Sequence, residues 1–196
     1  EERWPDTAQL CTKWVPNPGP KSAEDVRRAV QRALDRMKRD SIDLLQFHAW
    51  SYADPSWLDC MFELQALKDD GLIRHIGLTN TDAAHVAMLC ESGVDIVSNQ
   101  VCYSLLDQRA AGDMADVCAR YDVKVLAFGT LAGGLLTERW LDVPEPDMSD
   151  LETWSQMKYK RFIDTAGGWS KLQSLLGAVQ RASTRVGASV ANVATR

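Results

Sequence analysis

The chain has 196 residues, of which 45% are hydrophobic, 25% charged and 8% aromatic, a composition typical of globular proteins. The net charge of −5 argues against a nucleic-acid-binding protein, because phosphate binding needs a basic surface. The longest apolar stretch, residues 125–136, is shorter than the roughly 18 residues that a membrane span requires. We therefore expect a single domain over residues 1–196 with neither a nucleic-acid nor a membrane partner.

The cysteines indicate a reducing compartment. Five of them are scattered along the chain, none in a C-x-x-C pair, and only three histidines accompany them. This pattern favours reduced, mostly buried thiols and argues against a metal site. A cytoplasmic or organelle-matrix protein fits best, and we favour the cytoplasm.

Five short apolar runs alternate with helical patterns along the chain. The runs are residues 9–12, 42–47, 73–78, 95–98 and 124–128. Their centres lie about 20 to 35 residues apart, which is the spacing of βα units. The alternation predicts a parallel sheet, either an open doubly wound sheet of five strands or part of a closed barrel. The glycine-rich phosphate fingerprints common in open sheets are absent from the sequence.

The helices between these runs carry start and stop signals. Ser22 begins a capping box before an apolar stripe, and Asp54 with Pro55 predicts the start of the next helix, which Gly71 ends. Further helices are predicted over residues 82–91, 110–121 and 169–186, and from Ala188 onward. Residues 137–168 break the alternation, and their aromatic content favours an ordered lid over a linker.

Polar residues follow the predicted strands at their C-terminal ends. They are Lys13, His48, Thr79 with Asn80, Asn99 with Gln100, and Gly129 with Thr130. In α/β-barrel enzymes this rim holds the active site. Five successive strand ends with such groups therefore indicate a site there.

Motifs around these strand ends resemble those of the aldo-keto reductase family. They are CTKW at 11–14, DLLQFH at 43–48, GLIRHIGLTN at 71–80, SNQVCYSLLD at 98–107 and FGTLAGGLL at 128–136. They occur in the family's order and spacing and cover most of the chain. The resemblance implies an α/β fold of the (β/α)8 TIM barrel type, here a partial barrel of about five parallel βα units. It also implies NADPH-dependent reduction of aldehydes and ketones, with a small-molecule carbonyl compound as substrate.

The resemblance also implies roles for individual residues. Lys13 and His48 match the catalytic lysine and histidine. The matches to cofactor-binding positions are Thr79, Asn80 and Gln100 for the carboxamide, Phe128 for stacking on the nicotinamide, and Gly129, Leu131 and Gly133 in the loop around the pyrophosphate. Trp14 and Trp50 are candidates for lining the substrate pocket.

Two members of the family's catalytic tetrad have no match. The family's aspartate and tyrosine lie upstream of its lysine, yet no tyrosine precedes Lys13, and Asp6 is too close in sequence. We therefore expect a partial barrel without its first two strands and its last strand, with little turnover on its own. Tyr52 is a conceivable substitute acid. Exposed sheet edges would favour self-association.

Two other functions remain open. A non-catalytic, cofactor-sensing regulatory subunit of the same fold would keep the cofactor motifs without the acid. A glycosidase would need two carboxylates at strand ends. Asp54 and Asp107 are its nearest candidates, but both read as caps or loop residues.

Overall fold

In a computed structural model, residues 7–196 of the chain are described, so Asp6 lies outside the described residues. The strands are β1 (Cys11–Trp14), β2 (Ile42–Phe47), β3 (Ile73–Thr79), β4 (Ile96–Cys102) and β5 (Lys124–Phe128). They form one sheet in the order β1-β2-β3-β4-β5, and the first four pair in parallel. An open doubly wound sheet reverses its strand order at a switch point, whereas a barrel runs consecutively. The consecutive order therefore favours the barrel.

The helices follow the strands in alternation. They are α1 (Ala23–Met37), α2 (Trp57–Asp69), α3 (Ala83–Glu91), α4 (Asp113–Arg120), α5 (Trp154–Thr165), α6 (Trp169–Val186) and α7 (Val190–Thr195). The predicted capping box is confirmed, because Ser22 Oγ accepts from the Asp25 amide at 3.2 Å while the Asp25 carboxylate accepts from the Ser22 amide at 3.0 Å. The predicted bounds of α6 are also confirmed.

Two predicted helix starts are wrong. Helix α2 begins at Trp57, because the Asp54 carboxylate accepts from the Ser56 amide at 2.9 Å and closes a turn before the helix. Helix α4 begins at Asp113, because a 3-10 turn occupies Arg109–Ala111. In both cases a local hydrogen-bonded turn replaces the first turn of the predicted helix.

The chain forms two compact units. The first, here called the sheet unit, comprises residues 7–101 together with Asp113–Leu126. The second, here called the C-terminal unit, comprises Cys102–Gly112 and Ala127–Arg196. Among the helices of residues 7–196, none combines the length and hydropathy of a bilayer-crossing segment.

The core of the sheet unit lies between the strands and helices α1 to α3. Fully buried side chains from both layers meet there, including Val26, Leu45, Phe47, Leu64 and Ile76. On the face of the sheet that points away from these helices, the side chains of neighbouring strands approach closely around Gly77. A Cβ on Gly77 would lie 2.6 Å from Ser98 Oγ and 3.2 Å from Gln46 Cγ, so glycine is required there.

The core of the C-terminal unit includes much of the segment 137–168 that breaks the sequence pattern. Helix α5 occupies part of this segment, and Trp140, Leu151 and Tyr159 are buried with residues of α6 and α7. The ring of Trp169 packs edge-on against Trp140 at 5.8 Å, and its Nε1 donates to the Val143 carbonyl at 2.8 Å. The segment is therefore ordered, as predicted, but its aromatic residues form a core, and its role as a lid stays a prediction.

Candidate active site

Lys13 lies near the end of β1 and reaches across the sheet to β4. Its Nζ donates to Gln100 Oε1 at 2.6 Å. Two strands separate β1 from β4, and in a flat sheet their axes would be about 14 Å apart. The contact therefore requires the sheet to curve toward the face that carries Lys13. It joins a predicted catalytic residue to a predicted carboxamide-binding residue.

His48 follows β2 directly and is fixed by its backbone and its ring. Its amide donates to the Trp14 carbonyl at 3.0 Å, and its ring lies against Trp50 with 5.2 Å between centroids. Partial burial lowers the pKa of His48, and the positive charge of Lys13 lowers it further. The imidazole is therefore neutral at pH 7, with an N–H that can donate to a carbonyl oxygen.

The ends of β3 and β4 are tied together by two hydrogen bonds. The Asn80 amide donates to the Gln100 carbonyl at 2.9 Å, and Asn99 Nδ2 donates to the Thr81 carbonyl at 2.8 Å. Asn80 has a φ of 55°, a left-handed conformation that non-glycine residues adopt only when their surroundings hold them. These contacts fix the backbone at two of the predicted carboxamide-binding positions.

Thr79 fits the carboxamide group of a nicotinamide. Its side chain is 3% exposed, and Oγ1 has no hydrogen-bond partner within residues 7–196. A buried hydroxyl without a partner costs about 1–3 kcal/mol, so such an atom is expected where a ligand supplies the partner. A carboxamide has both a donor and an acceptor, and Thr79 lies in register with Gln100 on the neighbouring strand.

The two tryptophans proposed for the substrate pocket differ in position. Trp50 is 72% exposed and lies beside His48, so the structure brings these two together. Trp14 directly follows Lys13 in β1, and successive side chains of a strand point to opposite faces. Its ring packs edge-on against the buried Phe47 at 5.8 Å, away from Lys13. The substrate roles of both residues stay predictions, and that of Trp14 has no contact to support it.

In the C-terminal unit, the loop after Phe128 packs against helix α5. Gly129 has a φ of 73°, and a Cβ there would lie 2.0 Å from the hydroxyl oxygen of Tyr159. Gly133 has a φ of 66°, and a Cβ there would lie 2.9 Å from the Ser155 carbonyl carbon. Both glycines are thus required by the close approach of the chain itself, and the predicted pyrophosphate contact stays a prediction.

The backbone of the same loop forms hydrogen bonds within the loop itself. The Leu131 carbonyl accepts from the amides of Gly134, at 2.9 Å, and Leu136, at 3.1 Å. The Ala132 amide donates to the Gly129 carbonyl at 2.8 Å. These hydrogen bonds hold the loop in one conformation, and the amides of Ala132, Gly134 and Leu136 already have acceptors.

Asn99 was predicted only as a polar strand end, and Lys158 of the C-terminal unit was given no role by the sequence. Asn99 is fully buried and ties β4 to Thr81, as described above. Lys158 lies on α5 with its ammonium 5.4 Å from the ring centroid of Phe128. A sequence signal for Lys158 is its spacing from Phe162 four positions later, which is a neighbour spacing on a helix.

Tyr52 is not placed as a substitute acid. Its hydroxyl is hydrogen-bonded to Thr81 Oγ1 at 2.8 Å, and its ring stacks on His85 at 4.6 Å. Burial raises the pKa of Tyr52, the hydrogen bond to Thr81 opposes this, and the charge of Asp82 adds to it. An acid in this chemistry needs a cation that stabilises its phenolate, and neither Thr81 nor Asp82 supplies one.

The two carboxylates considered for a glycosidase have structural roles. The Asp54 carboxylate accepts from the Ser56 amide. Asp107 accepts from Nε of Arg109 at 2.9 Å and from its Nη2 at 2.6 Å, and Arg109 holds the pKa of Asp107 below its usual range. Both carboxylates are thus caps or ion-pair partners, as the sequence indicated.

Two curated relatives are similar to the chain. Flagellar radial spoke protein 5 of Chlamydomonas reinhardtii is 29% identical, with a match that covers 100% of this chain and 44% of the relative. The NADH-specific methylglyoxal reductase of Escherichia coli is 32% identical, with 59% of this chain and 36% of the relative covered. The matches thus cover less than half the length of either relative.

A solved structure shares the fold. The glycerol dehydrogenase of Gluconobacter oxydans matches with a TM-score of 0.72 at 24% identity, covering 88% of this chain and 50% of the other. Such neighbours are (β/α)8 barrels, so the predicted partial barrel of five parallel βα units is confirmed. The model of the aldo/keto reductase family matches residues 1–196, the whole of the chain. The chain therefore belongs to the aldo/keto reductase family.

Proposed function

We propose that the chain is part of an oxidoreductase that reduces aldehydes or ketones to alcohols with NADPH. The observation that carries this proposal is the contact of Lys13 with Gln100, with His48 hydrogen-bonded through its amide to the carbonyl of Trp14, the residue after Lys13. This arrangement combines a cation, a neutral N–H donor and an amide at one sheet rim. Polarisation of a carbonyl group beside a bound nicotinamide requires such groups.

The residues of this chain would prepare the substrate for hydride transfer. When bound, a reduced nicotinamide supplies the hydride. His48 donates its N–H to the carbonyl oxygen, and the Lys13 ammonium stabilises negative charge that develops there. Thr79, Asn80 and Gln100 hold the carboxamide and so select which face of the ring meets the substrate.

A complete enzyme also needs an acid that protonates the carbonyl oxygen, and the described tyrosines of the sheet unit do not supply one beside Lys13. The sheet unit contains Tyr52 and Tyr121, whose hydroxyls are bonded to Thr81 at 2.8 Å and to Glu91 at 2.5 Å. Neither is therefore available beside Lys13. We infer that the acid and the aspartate of the tetrad are missing from the chain as given, and that it alone binds the coenzyme with little turnover.

The coenzyme is tested directly, because a bacterial relative bears the name of an NADH-specific enzyme. Purified chain is titrated with NADPH and with NADH, and NADPH oxidation is followed with an aromatic aldehyde. We expect saturable binding that Gln100→Leu weakens about tenfold, the effect of losing one to two hydrogen bonds. Gln31→Leu on the exposed face of α1 is the matched control and should leave binding unchanged. Absence of saturable binding by either coenzyme would contradict the proposal.

A second candidate is a non-catalytic, nicotinamide-binding regulatory subunit. It is favoured by the match of the whole chain to a relative that is named as a flagellar radial spoke protein and not as an enzyme. Coenzyme binding is expected from both candidates, so turnover distinguishes them. Turnover by a longer protein that supplies an upstream tyrosine and aspartate would support the enzyme. Its failure despite coenzyme binding would support the regulatory subunit.

Self-association and a cytoplasmic location belong to the same proposal. Strand β1 exposes Cys11 and Lys13, and Leu126 of β5 is also exposed, so strands at both ends of the sheet offer surface for pairing. Light scattering across protein concentrations tests self-association. A mass that stays monomeric over this range would contradict it, and fractionation of the source cells tests the location.

A further inference from the structure

Lys158 lies in a cage of three aromatic rings within the C-terminal unit. Its Nζ is 5.0 Å from the ring centroid of Tyr159, 5.4 Å from that of Phe128 and 5.7 Å from that of Phe162. Ammonium groups within about 6 Å of an aromatic centroid are attracted by the negative face of the ring. Lys158 therefore makes three such contacts at once.

The walls of this cage are held in place by packing. Tyr159 is 4% exposed, its ring meets Phe162 edge-on at 5.5 Å, and its hydroxyl fills the space beside Gly129. Phe128 immediately precedes that glycine, and its carbonyl accepts from the Tyr103 amide at 3.2 Å. The rings are thus held by the packing of the unit, whereas Lys158 itself is exposed.

Lys160, two residues later on α5, differs from Lys158 in its burial and in the charge of its partners. Lys160 is buried and forms ion pairs with Glu145 at 2.6 Å and Asp164 at 2.5 Å. The contacts of Lys158 are with neutral rings, which leave its positive charge uncompensated. This charge can therefore act on a ligand at Phe128.

We propose that Lys158 makes the protein bind the reduced nicotinamide coenzyme in preference to the oxidised one. The proposal rests on the proposed function together with the expectation, implied by the family resemblance, that Phe128 stacks on the nicotinamide. The oxidised nicotinamide ring carries a positive charge and the reduced ring is neutral, so the Lys158 ammonium repels only the oxidised form. The bias favours carbonyl reduction, because it aids release of the oxidised product while leaving binding of the reduced coenzyme unchanged.

The direction of the effect does not depend on which face of Phe128 the nicotinamide uses. On the face that Lys158 covers, the two cations would compete for the same ring. On the opposite face, a ring stacked at about 3.5 Å would leave the charges about 9 Å apart, still within the range of a weakly screened interaction. A surface charge of this kind is expected to change the preference about two- to five-fold.

The test compares dissociation constants of NADPH and NADP+ in the wild-type chain and in Lys158→Met, with Lys158→Arg and Arg161→Met as controls. We expect Lys158→Met to bind NADP+ about two- to five-fold more tightly while NADPH binding stays unchanged. Lys158→Arg keeps the charge and should keep the wild-type ratio. Arg161 is an exposed cation on the same helix, and its removal should leave the ratio unchanged.

Three results would overturn the inference. An unchanged ratio in Lys158→Met, with both coenzymes bound, contradicts the role of Lys158 and leaves the proposed function standing. Equal weakening of both coenzymes would instead assign Lys158 to their phosphates. Failure of every variant and the wild type to bind either coenzyme would contradict the proposed function and this inference together. Salt provides a second readout, because the wild-type preference should decrease as ionic strength rises.

Discussion

The two units differ in what they do with buried polar groups. Buried side-chain oxygens without a partner in residues 7–196 all lie in the sheet unit, on Ser41, Thr79, Ser98 and Asn99. In the C-terminal unit, the buried Lys160 and Gln156 are bonded within the unit itself. The sheet unit therefore has buried hydrogen-bonding groups that its own residues do not satisfy, Thr79 at the candidate site among them, whereas Lys160 and Gln156 are satisfied within the C-terminal unit.

The largest expected effect tests the C-terminal unit through Lys160. The double variant Glu145→Gln with Asp164→Asn leaves a buried ammonium without a countercharge, which should lower the free energy of unfolding by about 3–5 kcal/mol. Lys160→Met replaces the ammonium by an apolar side chain and should change stability by less than about 1 kcal/mol. Urea unfolding measures both. A loss in Lys160→Met as large as that of the double variant would show that the ion pairs themselves stabilise the unit.

A second substitution tests the close approach of the Gly129 loop to helix α5. Gly129→Ala adds a Cβ against the Tyr159 hydroxyl at a left-handed φ, and we expect a loss of about 2–5 kcal/mol. Gly19→Ala is the control, because Gly19 also has a positive φ but no atom within 4 Å of the added Cβ. Its cost should be about 1–2 kcal/mol, that of the backbone alone. Equal losses in thermal unfolding would contradict the steric explanation.

The sheet unit should respond differently, with a loss of binding rather than of stability. Thr79→Val removes a buried hydroxyl without a partner, so the free energy of unfolding should rise by about 1–3 kcal/mol while coenzyme binding weakens about five- to tenfold. Thr81→Val removes a hydroxyl bonded to Tyr52 and should cost about 1–2 kcal/mol. Calorimetry with and without coenzyme separates these effects. A loss of stability without a loss of binding in Thr79→Val would remove Thr79 from the site.

The smallest expected effect is the pH dependence contributed by His48. Its pKa is lower in the folded chain than the usual 6.5, so the unfolded chain binds more protons over the interval between the two values. The stability contribution is therefore fully present above pH 6.5 and is lost as the pH falls toward the folded pKa. His48→Gln should flatten this part of the curve in thermal unfolding between pH 7.5 and 5. An unchanged slope would show that His48 is not desolvated.

The predicted bounds of helices and strands agree with the structure where the interactions that set them act between residues close in sequence. Strands β2 and β5 and helices α1 and α6 have bounds predicted from apolar periodicity and capping, since both act within a few residues. Helix α5 lies in a segment whose mixed aromatic and charged residues give no clear period, and its position depends on packing with the C-terminal core. The start of α2 was misplaced because Asp54 caps a turn rather than the helix.

The sequence alone determined the alternation of strands and helices and the likeness to the aldo-keto reductases, because these are carried by short motifs. The predicted ends of β1, β3 and β4 were wrong, since Lys13, Thr79, Asn99 and Gln100 lie within these strands. The tertiary structure decided which of these residues meet. Lys13 and Gln100 are 87 positions apart and come within 2.6 Å only because the sheet curves. Trp14 follows Lys13 directly and still faces away from it, and Lys158 reaches Phe128 through the fold of the C-terminal unit. Such contacts depend on the direction of side chains in packed elements, which no local pattern specifies.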